Sequence, residues 1–511
     1  MKRRTAARLF SLAAALVLAA CVLLPGTVRA EETEDDDAEP EYLWCGSFGY
    51  SLLEDGTAEI RAWEGEDLEA VIPEEVDGIP VTAIGKYAFL MQETLCEITV
   101  PASVKRIEDS AFSSCLGLEK INLAEGLVSI GSGAFRQCRR MKGITIPESV
   151  TEIGEEAFAW CYNLKEIDLP AGVTYISGGL FEDCWDLERF TIRDTVTDVG
   201  GNPFTGCKRL KEIVLSPDHP TLEMKDGVLF NRADKRLIFY PAEREEESYT
   251  VPEGTEIIGE GAFYYAGNLT EIVIPDSVRE IRKNAFTRCT SLEGITLPED
   301  ITVLTRGVFS NCESLMEVII PAGVTEIDEY AFYCSGITWA VIPDGVTEIK
   351  EGTFDGCRRL QGLEIPESVK KIGKMAFDGC RVMPAVSLPE GLEELDPLAF
   401  RDCKQLVRIR IPEGVTEIGE STFSGCEKLK AVTLPAGLKK IGRRAFYNCA
   451  MTSILLPEGL EELEDEVFYL CRSLKEAEIP ASVTKLGRDV FVHSGMETDT
   501  VVDTDDGEDE I

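Results

Sequence analysis

The chain has 511 residues, 92 of them acidic and 51 basic, for a formal net charge of −41. That excess of negative charge argues against nucleic acid, whose phosphate backbone it would repel, and against anionic membrane surfaces. His219 and His493 are the only histidines, and neither has a patterned neighbour, so Cys–His and Ser–His mechanisms have little to draw on.

Residues 1–30 read as a secretory signal. Lys2, Arg3, Arg4 and Arg8 precede an apolar stretch at 9–24, and Val28, Arg29 and Ala30 offer a small-residue cleavage site before Glu31. Leu18, Ala19, Ala20 and Cys21 also match a lipobox, so a lipid anchor at Cys21 is the alternative; apolar Val22, Leu23 and Leu24 stand where a polar tether is usual. An uncleaved anchor is disfavoured, because the apolar stretch is short for a spanning helix. Residues 31–41 carry eight acids in eleven positions and are expected to be a disordered, solvated leader. Residues 42–91 are read as an N-terminal cap and an atypical first coil. Apolar and aromatic residues around Glu54, Asp55 and Gly56 predict a β-hairpin that covers the open edge.

From there a template recurs every 23 residues, and a period of that length means a repeat architecture. In one copy Met141, Ile144 and Ile146 precede Pro147; Val150 and Ile153 follow, then Gly154, Ala157 and Phe158, then Cys161. The I-x-L-P segment alternates with period 2 and ends on proline, which predicts a short strand. Glycine is read as allowing a tight bend, and x2-A-F-x2-C as one short helical or 3₁₀ turn. Strands of successive coils should pair in parallel about 4.8 Å apart. No coil can fold alone, because its apolar faces are buried only by stacking.

Fourteen cysteines mark the beat, from Cys115 to Cys207 and from Cys289 to Cys471, with slips at Cys334 and Cys471. Parallel Cβ vectors at ladder spacing do not suit a disulfide, and Gln92, Ala266 and Ser494 replace cysteine in three coils. The ladder cysteines are therefore expected to be buried thiols. Cys45 and Cys96 lie off the ladder, where a cap-to-coil disulfide is conceivable.

Between Phe204 and Phe263 the rhythm breaks. Segments 227–231 and 236–240 read as an exposed hairpin, part of an inserted segment at 216–250, whose removal would leave the register intact. The solenoid is expected over 42–495 and a disordered acidic tail over 496–511.

Units such as residues 146–170, I-P-E-S-V-T-E-I-G-E-E-A-F-A-W-C-Y-N-L-K-E-I-D-L-P, resemble the BspA-like leucine-rich repeats of bacterial surface proteins. The resemblance implies a repeat solenoid, mostly β with short helical or 3₁₀ turns: a right-handed leucine-rich-repeat stack of 23-residue coils. It also implies no enzymatic activity. No phosphate loop appears, no metal-ligand spacing appears, and no cofactor is expected. Most carboxylates fall at variable positions, where a solvated face explains them. The expected function is a secreted or cell-surface scaffold for protein–protein interaction or adhesion, monomeric, with a host or bacterial surface protein as partner. The alternative is a structural surface or matrix protein without a discrete ligand. Specificity should lie on the outward strand positions, among which Trp339, Arg408 and Arg410 are the residue types enriched at interfaces.

Overall fold

The computed structural model describes residues 42–496. The signal segment, Cys21, the acidic leader and the tail beyond Met496 lie outside the described residues.

Each coil contributes strands to two parallel ladders. The I-x-L segments form the first: Glu97–Val100 pairs with Lys120–Leu123, and Gly143–Thr145 with Glu166–Asp168, each residue opposite the one 23 positions on. The V-x2-I step, which the sequence leaves as a connection, forms the second. Arg106–Ile107, Ser129–Ile130 and Glu152–Ile153 lie side by side in parallel. Each such dyad buries its isoleucine and turns its polar residue outward, so its backbone groups need partners in neighbouring coils.

The expected helical turn is absent among the described residues. The A-F-x2-C segment is a run of tight turns in which alternate amides donate within the coil, as Ser113 does to the Ser110 carbonyl, and the others donate to the next coil. Phe112 N–H donates to the Ala134 carbonyl at 2.8 Å, and Ser114 N–H to Arg136 at 2.7 Å. The glycine after isoleucine also has a different role from the one expected. A Cβ on Gly154 would sit 2.4 Å from the Ser132 amide nitrogen, so these two coils approach closely there, whereas other coils carry Glu108, Ser177 or Arg282 at the same position. The left-handed residue comes two positions later, at Glu156 with φ 55°.

The template phenylalanines form an aromatic column through the core. Ring centroids are 5.4 Å apart for Phe112 and Phe135 and 5.1 Å apart for Phe377 and Phe400, close to the ladder spacing. The cysteine three residues after each phenylalanine is buried, and its Sγ–H donates to the phenylalanine carbonyl of the preceding coil, as Cys161 does to Phe135 at 3.2 Å. This explains the preference: the slot is small, dry and has one acceptor to satisfy. Burial pushes the Cys115 and Cys161 thiols up to about 12, so they stay protonated. All cysteines among the described residues are free thiols, Cys45 and Cys96 included.

Cys334 is not a ladder cysteine. The residue three after Phe332 is Ser335, which is buried and donates its amide to the Phe332 carbonyl as a ladder cysteine would. Cys334 instead has φ 52°, is half-exposed, and occupies the preceding left-handed position. The ladder therefore holds thirteen of the sixteen described cysteines, the others being Cys45, Cys96 and Cys334.

At the N-terminal edge the expected hairpin is present. Phe48–Leu52 pairs antiparallel with Ala58–Trp63, which pairs in parallel with Ile79–Ile84 of the next coil. Trp63 lies 5.8 Å from Phe89, and Gln92 Nε2 donates to the Trp63 carbonyl, repeating with an amide what the thiols do further along.

The inserted hairpin is buried rather than exposed. Leu222–Lys225, Val228–Asn231 and Arg236–Phe239 form an antiparallel meander, and every residue of the last two strands is buried. Arg236 and Leu237 then pair in parallel with Ile257 and Ile258. Tyr240 fills the phenylalanine slot, 5.2 Å from Phe263, with its amide on the Ala262 carbonyl, while Phe239 lies 5.4 Å from Phe204. The break is thus one coil of 36 residues followed by one of 23. Deleting 228–239 would remove Leu237 and Phe239 from the core.

Candidate functional site

With the core positions committed to stacking, chemistry can vary only on the outward strand positions and the turn edge. In Glu317–Ile319 the central valine is buried and both flanking side chains are exposed. Ile319 is 70% exposed, and in the next coil Val341 is 51% and Trp339 49% exposed. Met316, just before the first of these strands, is 50% exposed. The Trp339 indole lies across Gly362 of the following coil, where a Cβ would come within 2.5 Å of its ring; the missing side chain gives the indole its seat. Most other positions equivalent to Ile319 on this ladder are polar, among them Asp168, Thr191, Thr296, Glu364 and Thr433. Met316, Ile319, Trp339 and Val341 thus group into one apolar patch, while Val71, Val273 and Leu455 are exposed at equivalent positions elsewhere on the face.

Arg408 and Arg410 project from the same ladder, three coils beyond Trp339 in the register that runs 339, 362, 385 and 408. The structure therefore puts the three sequence-singled residues on one face without bringing Trp339 into contact with the arginines. Arg410 is ion-paired with Glu390, whereas Arg408 has no side-chain partner among the described residues. Ile319 is an outward strand position by the repeat pattern, but Met316, Ile319 and Val341 group into a patch only when the coils are stacked. The usable signal was the proline ending each strand: Ile319 and Val341 stand two residues before Pro321 and Pro343.

Along the turn edge, an aromatic–cation row crosses the inserted coil. Arg139 lies over Tyr162, Tyr162 stacks on Trp185 at 4.1 Å, and Lys208 sits 4.4 Å from Trp185 and 4.5 Å from Tyr265. These groups satisfy one another across the joint. Burial, and then the neighbouring Asp183 charge, push the Glu182 carboxyl up to about 7. Burial and Asp378 do the same for Asp355, while Asp378 itself is held by the Arg401 guanidinium. An open depression of about 440 Å³, lined by Thr338, Arg358, Arg359, Gln361, Val382 and Pro384, contains no carboxylate.

His219 is buried, and both its ring nitrogens are engaged. Nδ1 accepts from the Leu222 amide at 3.0 Å, which places the proton on Nε2, 3.2 Å from the Arg193 carbonyl. His493 packs edge-on against Tyr469. No group of three His, Cys, Asp or Glu side chains among the described residues is placed to hold a metal ion.

Stacked 23-residue coils with two parallel ladders and an outward strand face define a leucine-rich-repeat solenoid, a non-catalytic scaffold type whose members generally bind proteins. The chain belongs to the BspA-type leucine-rich repeat family, whose repeat region matches residues 82–211, 239–361, 325–423 and 394–504. Proteins with these repeats are bacterial surface proteins. A leucine-rich cell surface protein from Faecalibacterium prausnitzii is 29% identical, covering 64% of this chain and 96% of its own, with a TM-score of 0.53. A leucine-rich repeat protein from Eubacterium ventriosum is 20% identical, covering 89% of this chain and 95% of its own, at TM-score 0.44. The pneumococcal vaccine antigen PcpA is also 20% identical, covering 83% and 93%, at TM-score 0.45. No curated protein matches the chain. Among the described residues no helix is long and apolar enough to cross a membrane.

Proposed function

We propose that this is an exported surface protein that binds a protein partner, in the manner of an adhesin, through the outward strand face centred on Trp339. The observation that carries the reading is the patch of Met316, Ile319, Trp339 and Val341, large apolar side chains grouped in water on a ladder whose other positions equivalent to Ile319 are mostly polar. Burying such a group against a partner is favourable by roughly 1.5–3 kcal/mol per fully covered side chain. Arg408 and Arg410 flank the patch as secondary contacts. Export is supported by the signal-like pattern of residues 1–30 and by the cell-surface description of the Faecalibacterium relative.

The test is binding of the mature chain to an immobilised panel of host extracellular-matrix and bacterial surface proteins. One saturable partner is expected, with affinity at least about tenfold lower for the double variant Ile319→Ser, Trp339→Ala and an unchanged thermal melt. If no panel member binds saturably, the structural-matrix reading gains. If binding survives the double variant, the site lies elsewhere.

A further inference from the structure

The arginines of this chain are almost all accounted for. Among the described residues each has an ion pair, a side-chain hydrogen bond or a ring contact, except Arg358, Arg359, Arg381, Arg408 and Arg472. Acids outnumber bases 92 to 51, so carboxylate partners are in excess, and lone arginines should be scattered if they arise by chance. They are not scattered. Arg358 and Arg359 line the depression with Thr338, Gln361, Val382 and Pro384, and Arg381 immediately precedes Val382. Arg408 lies on the coil beside the depression: the Val407 amide donates to the Pro384 carbonyl, and Ala385 bridges to Arg408.

The register makes this a column of like charge. Arg358 and Arg381 hold the same coil position one period apart, and Lys404 follows at the next. Lys404 is neutralised by Glu427 at 2.6 Å; the arginines before it are not neutralised. Stacked cations about 4.8 Å apart along a ladder repel unless an anion lies between them. Guanidinium groups match carboxylates in two-pronged geometry.

We propose that Arg358, Arg359, Arg381 and Arg408 receive a short acidic peptide segment of the protein partner. For the partner being a protein, this rests on the function proposed above. Two features favour a peptide over a long polyanion. A chain of net charge −41 repels an extended sulfated glycan everywhere beyond this depression, whereas a short segment meets only the arginines. The depression also has an apolar side, Val382 and Pro384, and adjoins Trp339 through Thr338, which suits a segment carrying an apolar residue among its carboxylates. Its three-coil height, roughly 10–15 Å, spans about four residues of extended peptide.

The experiment uses the mature chain and three fluorescent probes: an eight-residue peptide alternating leucine with aspartate and glutamate pairs, its lysine counterpart, and a heparin dodecasaccharide. Anisotropy is followed at two salt concentrations. The acidic peptide should bind saturably at about 50 mM salt and at least about tenfold more weakly at about 300 mM. The double variant Arg358→Glu, Arg381→Glu should lose at least tenfold in affinity, whereas Arg472→Glu, at the remaining unpaired arginine, should lose nothing. The substituted side chains are exposed and unpartnered, and an unchanged melt confirms folding. Absence of saturable binding, or binding that the double variant leaves intact, overturns the proposal. Tighter binding of heparin than of the acidic peptide overturns the assignment to a peptide. Trp339→Ala separates the two readings. If the arginine variant abolishes peptide binding while no protein partner depends on Trp339, the strand-face reading falls and the arginine site stands.

Discussion

Replacing Arg236 tests whether the inserted coil is welded into the solenoid by one side chain. Arg236 is only 5% exposed. Its guanidinium donates to the Val199 carbonyl at 2.7 Å and to the Gly200 carbonyl, both on the coil before the insertion. In a regular coil such a carbonyl accepts from backbone, as Ile107 does from the Gly131 amide. Two charge-assisted bonds at about 1.5–3 kcal/mol each, set against the carbonyls left without a partner, give a loss of roughly 3–5 kcal/mol for Arg236→Met. Asp234 and Asp198 also face the guanidinium, but they are 39% and 56% exposed and add little. Lysine can reach only one carbonyl at a time, so Arg236→Lys should recover less than half. Because stacked coils can unfold in blocks, the readout should be local as well as global. Urea melts should show an earlier or split transition. Amide exchange at Gly200, bonded to Ile176, and at Gly259, bonded to Leu237, should quicken at least about a hundredfold, since each 1.4 kcal/mol is a factor of ten. If both variants stay within about 0.5 kcal/mol of wild type, or those amides keep their protection, the welding role is wrong.

Other outcomes follow from the same packing. Phe377→Ala, which empties a core slot between Phe354 and Phe400, should cost about 3–5 kcal/mol in urea unfolding, while Cys380→Ala, which loses a small side chain and one weak thiol bond, should cost only about 1 kcal/mol. Thiol titration of the native protein should leave the thirteen ladder cysteines unreactive and reach only Cys45, Cys96 and Cys334 among those described, with denaturation releasing the rest. Glu182 gives a pH effect of definite sign. Its carboxyl is raised from 4.5 to about 7 in the folded protein, so the stability it contributes is complete below pH 4.5 and lost as pH rises through about 7. Glu182→Gln should therefore stabilise the protein at pH 8 relative to pH 4.5 by about 1–2 kcal/mol more than wild type, the side chain being only half-buried. A thermal-melt series with the same pH slope for both proteins would contradict this.

The parts of the fold that repeat were legible because the core repeats. Phenylalanine, isoleucine and the proline-ended strand recur at fixed offsets, and the stacking follows from them. The misreadings arose where a marker was mistaken for the slot it usually fills. Cys334 looks like a ladder residue that has slipped by one, yet the slot is defined by its distance from Phe332 and belongs to Ser335. The coil ending at Tyr240 was invisible because tyrosine replaces phenylalanine and no cysteine follows. Its turn is also two residues shorter, three steps from Leu237 to Tyr240 against five from Ile258 to Phe263. The second ladder was missed because a two-residue strand has no periodicity of its own; only the neighbouring coils reveal it. Trp339 and Arg408 could be singled out by residue type and outward position. Arg358, Arg359 and Arg381 could not, since lacking a partner is a property of the assembled surface.

That last distinction suggests how charge should be read in a stacked repeat. In an isolated helix the neighbour that matters is three or four residues away. Here it is one coil away, and the pairs follow the period: Lys120 with Glu97, Arg209 with Asp186, Arg401 with Asp378. The sequence written in rows of 23 therefore shows many of its ion pairs as vertical neighbours, while the excess acids repeat in some columns, as Glu367, Glu390 and Glu413 do. A column of three bases stands out against that excess. Positions 358, 381 and 404 make such a column, and the acid that closes it, Glu427, reaches only the last of the three. In a chain with so many carboxylates available, the two arginines left open are where charge on another molecule can complete what the coils do not.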